Sequence, residues 1–333
     1  MLNYPFRVIT TTLLGCYLCL ISSVTFAMSK PIAEQEVVGR GVTIQYQFYD
    51  KASLQLASTM TPLIEDAFES FTTLFGGLPR DLNGQTYRHI LVTLRNGQHL
   101  GGEADPGVIH ITWADEELFG YATWQTLLLH ELFHLWSAES IRYQDPKEQW
   151  FNEGFAEYYA FRTAAELGLH EQKKALAILA HPVSNYLTAR NLGVLSLRNA
   201  AADQRSKMEN YFLIYNGGWL VALIIDMQIR EDSQGEKSLD DLMQWLYQHR
   251  PRHKQLYTFD DIAVGLMLST GLDFTGFLDD FVAGTQTVPV AKYFDLGREN
   301  WARAFDSSDK SDTRAAHQVR RYPAFIFEAH DVD

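Results

Sequence analysis

After residue 27 the chain contains short segments in which apolar and polar positions alternate. Residues 41–48, GVTIQYQF, place an apolar side chain at nearly every second position, which predicts a β-strand. Residues 88–94 and 107–112 predict two further strands, separated by glycines and a proline. Residues 53–75 carry apolar positions at helical spacing. These segments together predict a small mixed α/β unit.

The pattern becomes helical in the middle of the chain. Two helices are predicted over residues 122–137 and 149–168, and a long apolar helix over residues 209–230. Ser238 and Thr258 each lie three residues before an aspartate, a pattern that predicts the N-termini of two more helices. The predicted fold class is therefore α+β, a small mixed sheet with two helices followed by an all-helical part.

Four segments are predicted along the chain. Residues 1–27 form a leader, residues 38–170 the mixed α/β part, residues 171–290 the helical part and residues 291–333 a C-terminal extension. Binding sites usually lie in clefts between such parts, so we expect a cleft between the α/β part and the helical part.

The leader has the order of a secretory signal. Arg7 is followed by a long apolar run that ends in small residues near Ala27. Two alternatives remain: residues 8–27 are long enough for an uncleaved membrane anchor, and LLGC around Cys16 resembles a lipid-attachment box. The apolar run continues past Cys16, which disfavours lipid attachment. We expect export to a periplasm or secretion, and contact with a membrane only if the leader is uncleaved.

Cysteine usage and charge narrow the function classes further. Cys16 and Cys19, the two cysteines of the chain, both lie in the leader, so the mature chain is expected to have no disulfide and no thiol nucleophile. The formal net charge of −13 argues against a nucleic-acid partner and against binding to anionic lipid through basic patches.

The chemistry is concentrated in the stretch HELFH at residues 130–134. His130 and His134 are four residues apart, so on a helix both imidazoles share a face and can bind one ion. Glu131 lies beside the first histidine, where its carboxylate can reach a water at that ion without being a ligand. His-Glu-x-x-His is the arrangement of zinc peptidases, and it predicts one Zn²⁺ per chain.

A third zinc ligand is predicted on the following helix. Glu153 lies nineteen residues after His134, in the stretch NEGFAE. Glu157 is one turn further along the same face, where it can accept a hydrogen bond from the far nitrogen of His130. Asn152 is a second candidate for a residue that contacts the zinc ligands without binding the metal itself.

The motif and the downstream glutamate have two alternative interpretations. They could form a structural or degenerate metal site, or they could occur together by chance and bind no metal. A His-Glu-x-x-His motif with a glutamate at one set position downstream rarely occurs by chance. Burying two histidines and three carboxylates among Leu, Phe and Trp would also be costly without an ion.

These stretches resemble the glycyl aminopeptidase family of gluzincin zinc peptidases. The resemblance rests on HELFHLW, WFNEGFAEYYA, YNGGWLVALIIDMQIR, KSLDDLMQWLY and STGLDFTGFLDDFVAGTQTVP, and covers about residues 85–295. More distantly, the motif pair is similar to those of aminopeptidase N and thermolysin. The resemblance implies a thermolysin-like zincin catalytic domain over residues 38–170, a peptide or protein substrate and aminopeptidase-type hydrolysis. Glycyl aminopeptidases usually carry a large β-rich N-terminal region and often a PDZ domain, so this chain resembles a shortened member.

The resemblance also implies roles for individual residues. His130, His134 and Glu153 become the zinc ligands and Glu131 the general base. YNGG stands where related enzymes place a tyrosine that stabilises the oxyanion, so Tyr215 is the candidate and Tyr211, one turn earlier, the second choice.

A glycine-rich strand with a glutamate contacts the free amine of the substrate in the family. LGGEADPGVIHIT offers Gly102 and Glu103 for this role. The strand at residues 107–112 is expected to pair with an extended substrate. Three alternatives to an aminopeptidase remain: an endopeptidase of the same fold, a non-catalytic zinc-containing peptide-binding protein, and a metal-dependent hydrolase of other substrates.

Overall fold

The computed structural model describes residues 30–39, 41–115, 122–169 and 172–293. The predicted leader and nearly all of the predicted C-terminal extension lie outside the described residues. Within them, five strands form one mixed sheet in the order β1-β2-β3-β5-β4. The strands are β1 (Ala33–Gly39), β2 (Val42–Phe48), β3 (His89–Asn96), β4 (Gly101–Asp105) and β5 (Val108–Trp113).

Helices make up most of the remaining structure. They are α1 (Lys51–Gln55), α2 (Ala57–Phe75), α3 (Trp124–His134), α4 (Gln149–Glu166), α5 (Gln172–Leu187), α6 (Leu197–Ala200), α7 (Gln204–Glu209), α8 (Tyr211–Asp232), α9 (Leu239–His249), α10 (Phe259–Thr270), α11 (Thr275–Leu278) and α12 (Val290–Tyr293). The α+β class predicted from the sequence is confirmed. Ser238 and Thr258 each close a capping box at the start of a helix, as predicted.

The pairing of the strands fixes which edge of the sheet is open. The strands β2, β3 and β5 run parallel, while β1 and β4 pair antiparallel at the two sides. The strand β5 lies between β3 and β4, so both of its edges are already paired. The expectation that residues 107–112 pair with a substrate is therefore wrong, because β4 is the edge strand on that side.

The buried faces of the sheet and of the helices form one hydrophobic core. Alternate residues of β2 are fully buried, and α2 packs its Phe71 and Phe75 rings against Phe133 and Trp136 from the α3 segment. This packing holds α3 between the sheet and the helical part.

The helix α8 is apolar on all sides because it runs through the interior. Among the described residues it is the one helix with the length and apolar composition of a membrane span. Of its most apolar window, 83% is buried inside the protein.

Two local departures from the predicted elements affect the site. The helix predicted over residues 122–137 ends at His134, and the chain continues as a π-helical turn, Leu135–Ser140. Such turns often occur at functional sites because they re-aim the residues that follow. The helix predicted over residues 53–75 is divided at Leu56 into α1 and α2.

Candidate metal centre

Two histidines on α3 face one another across one helical turn. Thr123 caps this helix and closes a capping box with Thr126, which fixes where the helix begins. The Nε2 atoms of His130 and His134 lie 3.0 Å apart, and both side chains are buried. Their rings are nearly perpendicular, at an interplanar angle of 87°. The helical spacing read from the sequence therefore produces the predicted pair of converging imidazoles.

Glu153 on α4 supplies the third atom of the cluster. Its Oε2 lies 3.3 Å from Nε2 of His130 and 3.5 Å from Nε2 of His134. Tetrahedral ligands at about 2.0–2.1 Å from zinc lie about 3.3 Å from one another. The three atoms therefore fit one face of a zinc tetrahedron, and a candidate zinc site exists where the sequence predicted it.

Both histidines have partners behind the ligand face. Nδ1 of His134 lies 3.0 Å from Oγ of Ser137, within hydrogen-bonding distance. Nδ1 of His130 lies 3.6 Å from Oε1 of Glu157, close enough for attraction but longer than a hydrogen bond. Groups behind a metal ligand fix the tautomer of the histidine. Glu157 had been predicted for this place, whereas Ser137 had not.

Lys207 on α7 contacts the same glutamate from the other side. Its Nζ donates to Oε1 of Glu153 at 2.7 Å, and both side chains are buried. Burial alone would raise the pKa of Glu153, but Lys207 and the hydrogen bonds from both histidines hold that pKa well below its usual range. Sequence reasoning missed Lys207, since only the docking of α7 brings it to Glu153.

A close crossing of α4 and α8 sets the position of Glu153. A Cβ atom added to Gly218 would lie 2.1 Å from the carbonyl oxygen of Trp150, and one added to Gly154 would lie 2.4 Å from the backbone of Gly218. Real Cβ atoms do not approach that closely, so only glycine allows the two helices to touch here. Glu153 directly precedes this crossing, and its position depends on it.

Glu131 lies against the edge strand. A Cβ atom on Gly102 would lie 2.7 Å from Oε1 of Glu131, so the glycine leaves room for that carboxylate. Burial, and then the nearby Glu153 and Glu103 carboxylates, raise the pKa of Glu131 well above its usual value. A carboxylate with a raised pKa beside the metal ligands is suited to accept and return a proton.

The register of β4 separates Gly102 from Glu103. Gly102 is opposite Ile111 and Glu103 is opposite His110 in the antiparallel ladder. Directly opposite residues share a face, and successive residues alternate, so Gly102 lies on the face toward α3 and Glu103 on the other face. Glu103 also lines the cavity described below.

Tyr215 on α8 lies beside the ligand histidine. Its ring is nearly parallel to that of His130, with centroids 6.4 Å apart, and Tyr211 stacks on its other side at 4.0 Å. The Nζ of Lys207 lies 5.3 Å from the Tyr215 ring centroid, a cation–π distance. The structure brings Tyr215 to the site, and its role toward a substrate stays a prediction.

A cavity of about 390 Å³ opens over the cluster. Its wall includes β4, α3, α4 and α7, so it is lined from both the α/β part and the helical part. Asn152 also lines it, and its Oδ1 is buried without a hydrogen-bond partner among the described residues. Buried polar atoms are normally paired, so this atom is available to a ligand in the cavity.

Comparisons with solved structures identify the fold. An aminopeptidase N family protein from Idiomarina loihiensis superposes with a TM-score of 0.66 at 17% identity, covering 78% of this chain and 48% of that one. A mutant two-domain M1 zinc metallopeptidase bound to L-tryptophan gives a TM-score of 0.53 at 14% identity, covering 78% of this chain and 53% of that one. The chain spans about half the length of these structures. A comparison with curated proteins gives no significant match.

The fold is that of the aminopeptidase N and M1 zinc metallopeptidase structures, and the His-His-Glu cluster is a candidate zinc site within it. Residues 123–221 match the family model of the M61 glycyl aminopeptidases. This match over part of the chain agrees with the resemblance read from the sequence.

Proposed function

We propose that this protein is a zinc-dependent peptidase that hydrolyses peptide bonds in the cavity over the cluster. The observation that carries the proposal is the convergence of two histidine nitrogens and one carboxylate oxygen at 3.0–3.5 Å, with Glu131 beside them. This donor set fits zinc, which takes nitrogen and oxygen ligands in a tetrahedral arrangement with one open position. The family-model match supports peptides as the substrate class.

The chain's own residues have separate tasks in this proposal. When bound, zinc supplies a Lewis acid and lowers the pKa of a water toward about 7. Glu131 accepts the proton of the attacking water and passes it to the nitrogen of the leaving amine. The Tyr215 hydroxyl donates a hydrogen bond to the carbonyl oxygen as negative charge develops there. Exclusion of solvent by the buried walls strengthens both interactions.

The edge of β4 is the place for the substrate backbone. One side of β4 pairs with β5, while its glycine-rich start lies against Glu131. An extended peptide can add to such an edge through backbone hydrogen bonds, which places its scissile carbonyl near the cluster. The absence of a side chain at Gly102 lets the peptide approach closely.

The aminopeptidase type is our first choice because the matched family model is that of glycyl aminopeptidases. One observation favours an endopeptidase of the same fold instead. The register of β4 places the carboxylate-bearing Glu103 on the face opposite α3, while the residues on the near face are Gly102 and Ala104. Glu103 nevertheless lines the cavity over the cluster, so a free amine bound there can reach its carboxylate.

A peptide-library digest read by mass spectrometry tests the proposal. The zinc-loaded protein is expected to cut peptides, to stop in the presence of a chelator, and to lose turnover in Glu131→Gln while that variant keeps its metal. Glu231→Gln, an exposed substitution at the end of α8, is the matched control. Cuts that begin only at free amino ends support the aminopeptidase type. Absence of any cut, or full activity in Glu131→Gln, contradicts the proposal.

We further propose that the protein is exported to a periplasm or secreted. The support is the leader, with Arg7, the apolar run and the small residues before Ala27. N-terminal sequencing of the protein recovered from producing cells is expected to begin after Ala27. An intact leader in the membrane fraction would indicate the anchored alternative.

A further inference from the structure

The cavity extends from the metal cluster to a group of charged side chains on the segment that follows α3. Glu139 lies in the π-helical turn, and Arg142 and Tyr143 follow it directly. Arg252 reaches the same wall from the loop after α9, where its backbone N–H donates to Ser140. All four side chains line the cavity that also contains the two histidines and Glu153.

One of the two guanidinium groups, that of Arg252, contacts a buried carboxylate. Nη1 of Arg252 donates to Oε2 of Glu139 at 3.0 Å and to the carbonyl oxygen of Ala138 at 3.1 Å. Glu139 is only 5% exposed, and its charge is attracted by Arg142 as well as by Arg252. Two cations and a second carboxylate, Asp105, therefore act on Glu139 at this end of the cavity.

Arg142 lies beside the ring of its neighbour Tyr143. Its guanidinium carbon lies 5.3 Å from the centroid of the Tyr143 ring. Burial lowers the pKa of Arg252 more than Glu139 raises it, and repulsion from Arg142 adds to the lowering. Both guanidinium groups line the same end of the cavity. Crowded, partly desolvated guanidinium groups are stabilised when an anion binds between them.

Asp105 is a further acidic side chain in the lining of this end of the cavity. Asp105, at the end of β4, is 58% exposed and lies 3.7 Å from Nε2 of His110. His110 is opposite Glu103 in the ladder, on the face of the sheet away from α3. Glu153 is already paired with Lys207 at 2.7 Å. Arg142 and Arg252 therefore share this end of the cavity with the buried Glu139 and with Asp105, whose charge solvent screens.

We propose that Arg142 and Arg252 form a subsite that binds a carboxylate of the peptide substrate. The carboxylate belongs either to an acidic side chain near the cut or to the C-terminus of a short peptide, and both present the same two oxygens to the guanidinium groups. The inference rests on the proposed peptidase function and names its substrate class: peptides that carry a carboxylate within reach of the cluster. Arg252 is held in place by Glu139, and Arg142 is held by Tyr143.

Matched peptides test this subsite. Alanine hexapeptides with a single Glu or Gln at each position are prepared with either a free carboxylate or an amide at the C-terminus. Their kcat/KM values are measured with zinc-loaded wild-type protein, Arg142→Gln and Arg142→Lys. Arg205→Gln is the control, because the Arg205 side chain is 89% exposed on α7. Thermal melts and zinc content are measured for each variant, so that misfolding is recognised.

The wild type is expected to prefer the acidic peptide at one position by about tenfold in kcat/KM, the effect of one charge-assisted hydrogen bond. The preference is expected to fall to near one in Arg142→Gln and to persist partly in Arg142→Lys. A preference for Glu over Gln identifies a side chain, whereas a preference for the free C-terminus over the amide identifies the terminal carboxylate. Equal cleavage of all pairs, or an undiminished preference in Arg142→Gln, overturns the inference.

A binding assay separates this inference from the proposed function. Calorimetric titration of zinc-loaded Glu131→Gln with the same peptides measures affinity without turnover. If no peptide is cut but the acidic peptide still binds more tightly, and Arg142→Gln abolishes the difference, the subsite stands and the peptidase proposal fails. If peptides are cut but neither assay shows a preference for a carboxylate, the subsite is refuted and the peptidase proposal stands.

Discussion

Lys207 holds one oxygen of Glu153 while the other oxygen faces the two histidines. Its Nζ lies 2.7 Å from Oε1, and Oε2 lies 3.3 Å from Nε2 of His130. The carboxylate therefore offers a single oxygen to a metal ion. This division keeps the number of protein ligand atoms at three and leaves the fourth position open, the arrangement that distinguishes catalytic from structural zinc sites.

Replacing Lys207 by Met is expected to change the coordination of the metal rather than to remove it. Without its partner, Oε1 of Glu153 is free to bind the metal as well, and activity on peptides should fall by about 10–100-fold. Cobalt-substituted protein reports the change, since its visible absorption weakens as the coordination number rises. Lys237→Met, which removes an exposed ion pair to Asp241 on α9, is the control. An unchanged spectrum and unchanged activity would show that Lys207 has no such role.

Replacing Glu157 by Ala is expected to weaken zinc binding by about 10–100-fold. Its Oε1 lies 3.6 Å from Nδ1 of His130, and its loss leaves the orientation of that imidazole less defined. Competition against a chromophoric chelator measures the affinity. Glu157→Gln keeps an acceptor at the same place and should lose less. If both variants bind zinc as tightly as the wild type, Glu157 does not orient His130.

Replacing Gly218 by Ala is expected to destabilise the protein and to disturb the metal site together. The added Cβ would lie 2.1 Å from the carbonyl oxygen of Trp150, so α4 and α8 must move apart. Overpacking of this kind costs about 1–3 kcal/mol in the free energy of unfolding, which chemical denaturation measures. Gly276→Ala is the control, because nothing lies within 4 Å of its Cβ position. A Gly218→Ala variant with wild-type stability and zinc affinity would show that the crossing is not tight.

The ion pair between Arg162 and Asp240 is expected to make the free energy of unfolding depend on pH in the acid range. Two hydrogen bonds of 2.7 Å join the guanidinium to the carboxylate. Burial opposes ionisation of Asp240, but Arg162 outweighs it and lowers the pKa of Asp240. A lowered folded-state pKa gives stability that is complete above the unfolded pKa of about 3.9 and is lost as the pH falls through the folded pKa.

The substitution Asp240→Asn tests this linkage. At pH 7 it is expected to reduce the free energy of unfolding by up to about 3–5 kcal/mol. Glu166 remains as a second partner of Arg162, so the measured loss should lie below that limit. The difference from the wild type should narrow as the pH falls below about 4. Denaturant titrations at several pH values measure both effects, with the exposed Asp66→Asn as control. A difference that does not depend on pH would contradict the assignment.

The metal ligands could be predicted from the sequence because their geometry is local. His130 and His134 converge whenever residues 130–134 are helical, and that requirement is written in the motif itself. Glu153 followed from the known pairing of this motif with a second helix. Lys207 lies 54 residues from Glu153 along the chain, and no pattern in its own segment distinguishes it from an exposed lysine.

The strands that the sequence did not predict lacked the usual signals. β1 is largely exposed, so it shows little alternation of apolar and polar positions. β4 begins with two glycines, which have low strand propensity. Because β4 was missed, β5 was taken for the edge of the sheet. The π-helical turn after His134 also has no signature in the pattern, although it carries Glu139 to the cavity wall.

The zinc content of the purified protein tests the central claim most directly. After dialysis against buffer with trace zinc, elemental analysis is expected to find about one zinc per chain in the wild type and in Glu131→Gln. The variants His134→Ala and Glu153→Ala should retain almost none under the same conditions. A wild-type protein without stoichiometric zinc, or full zinc content in Glu153→Ala, would contradict the account.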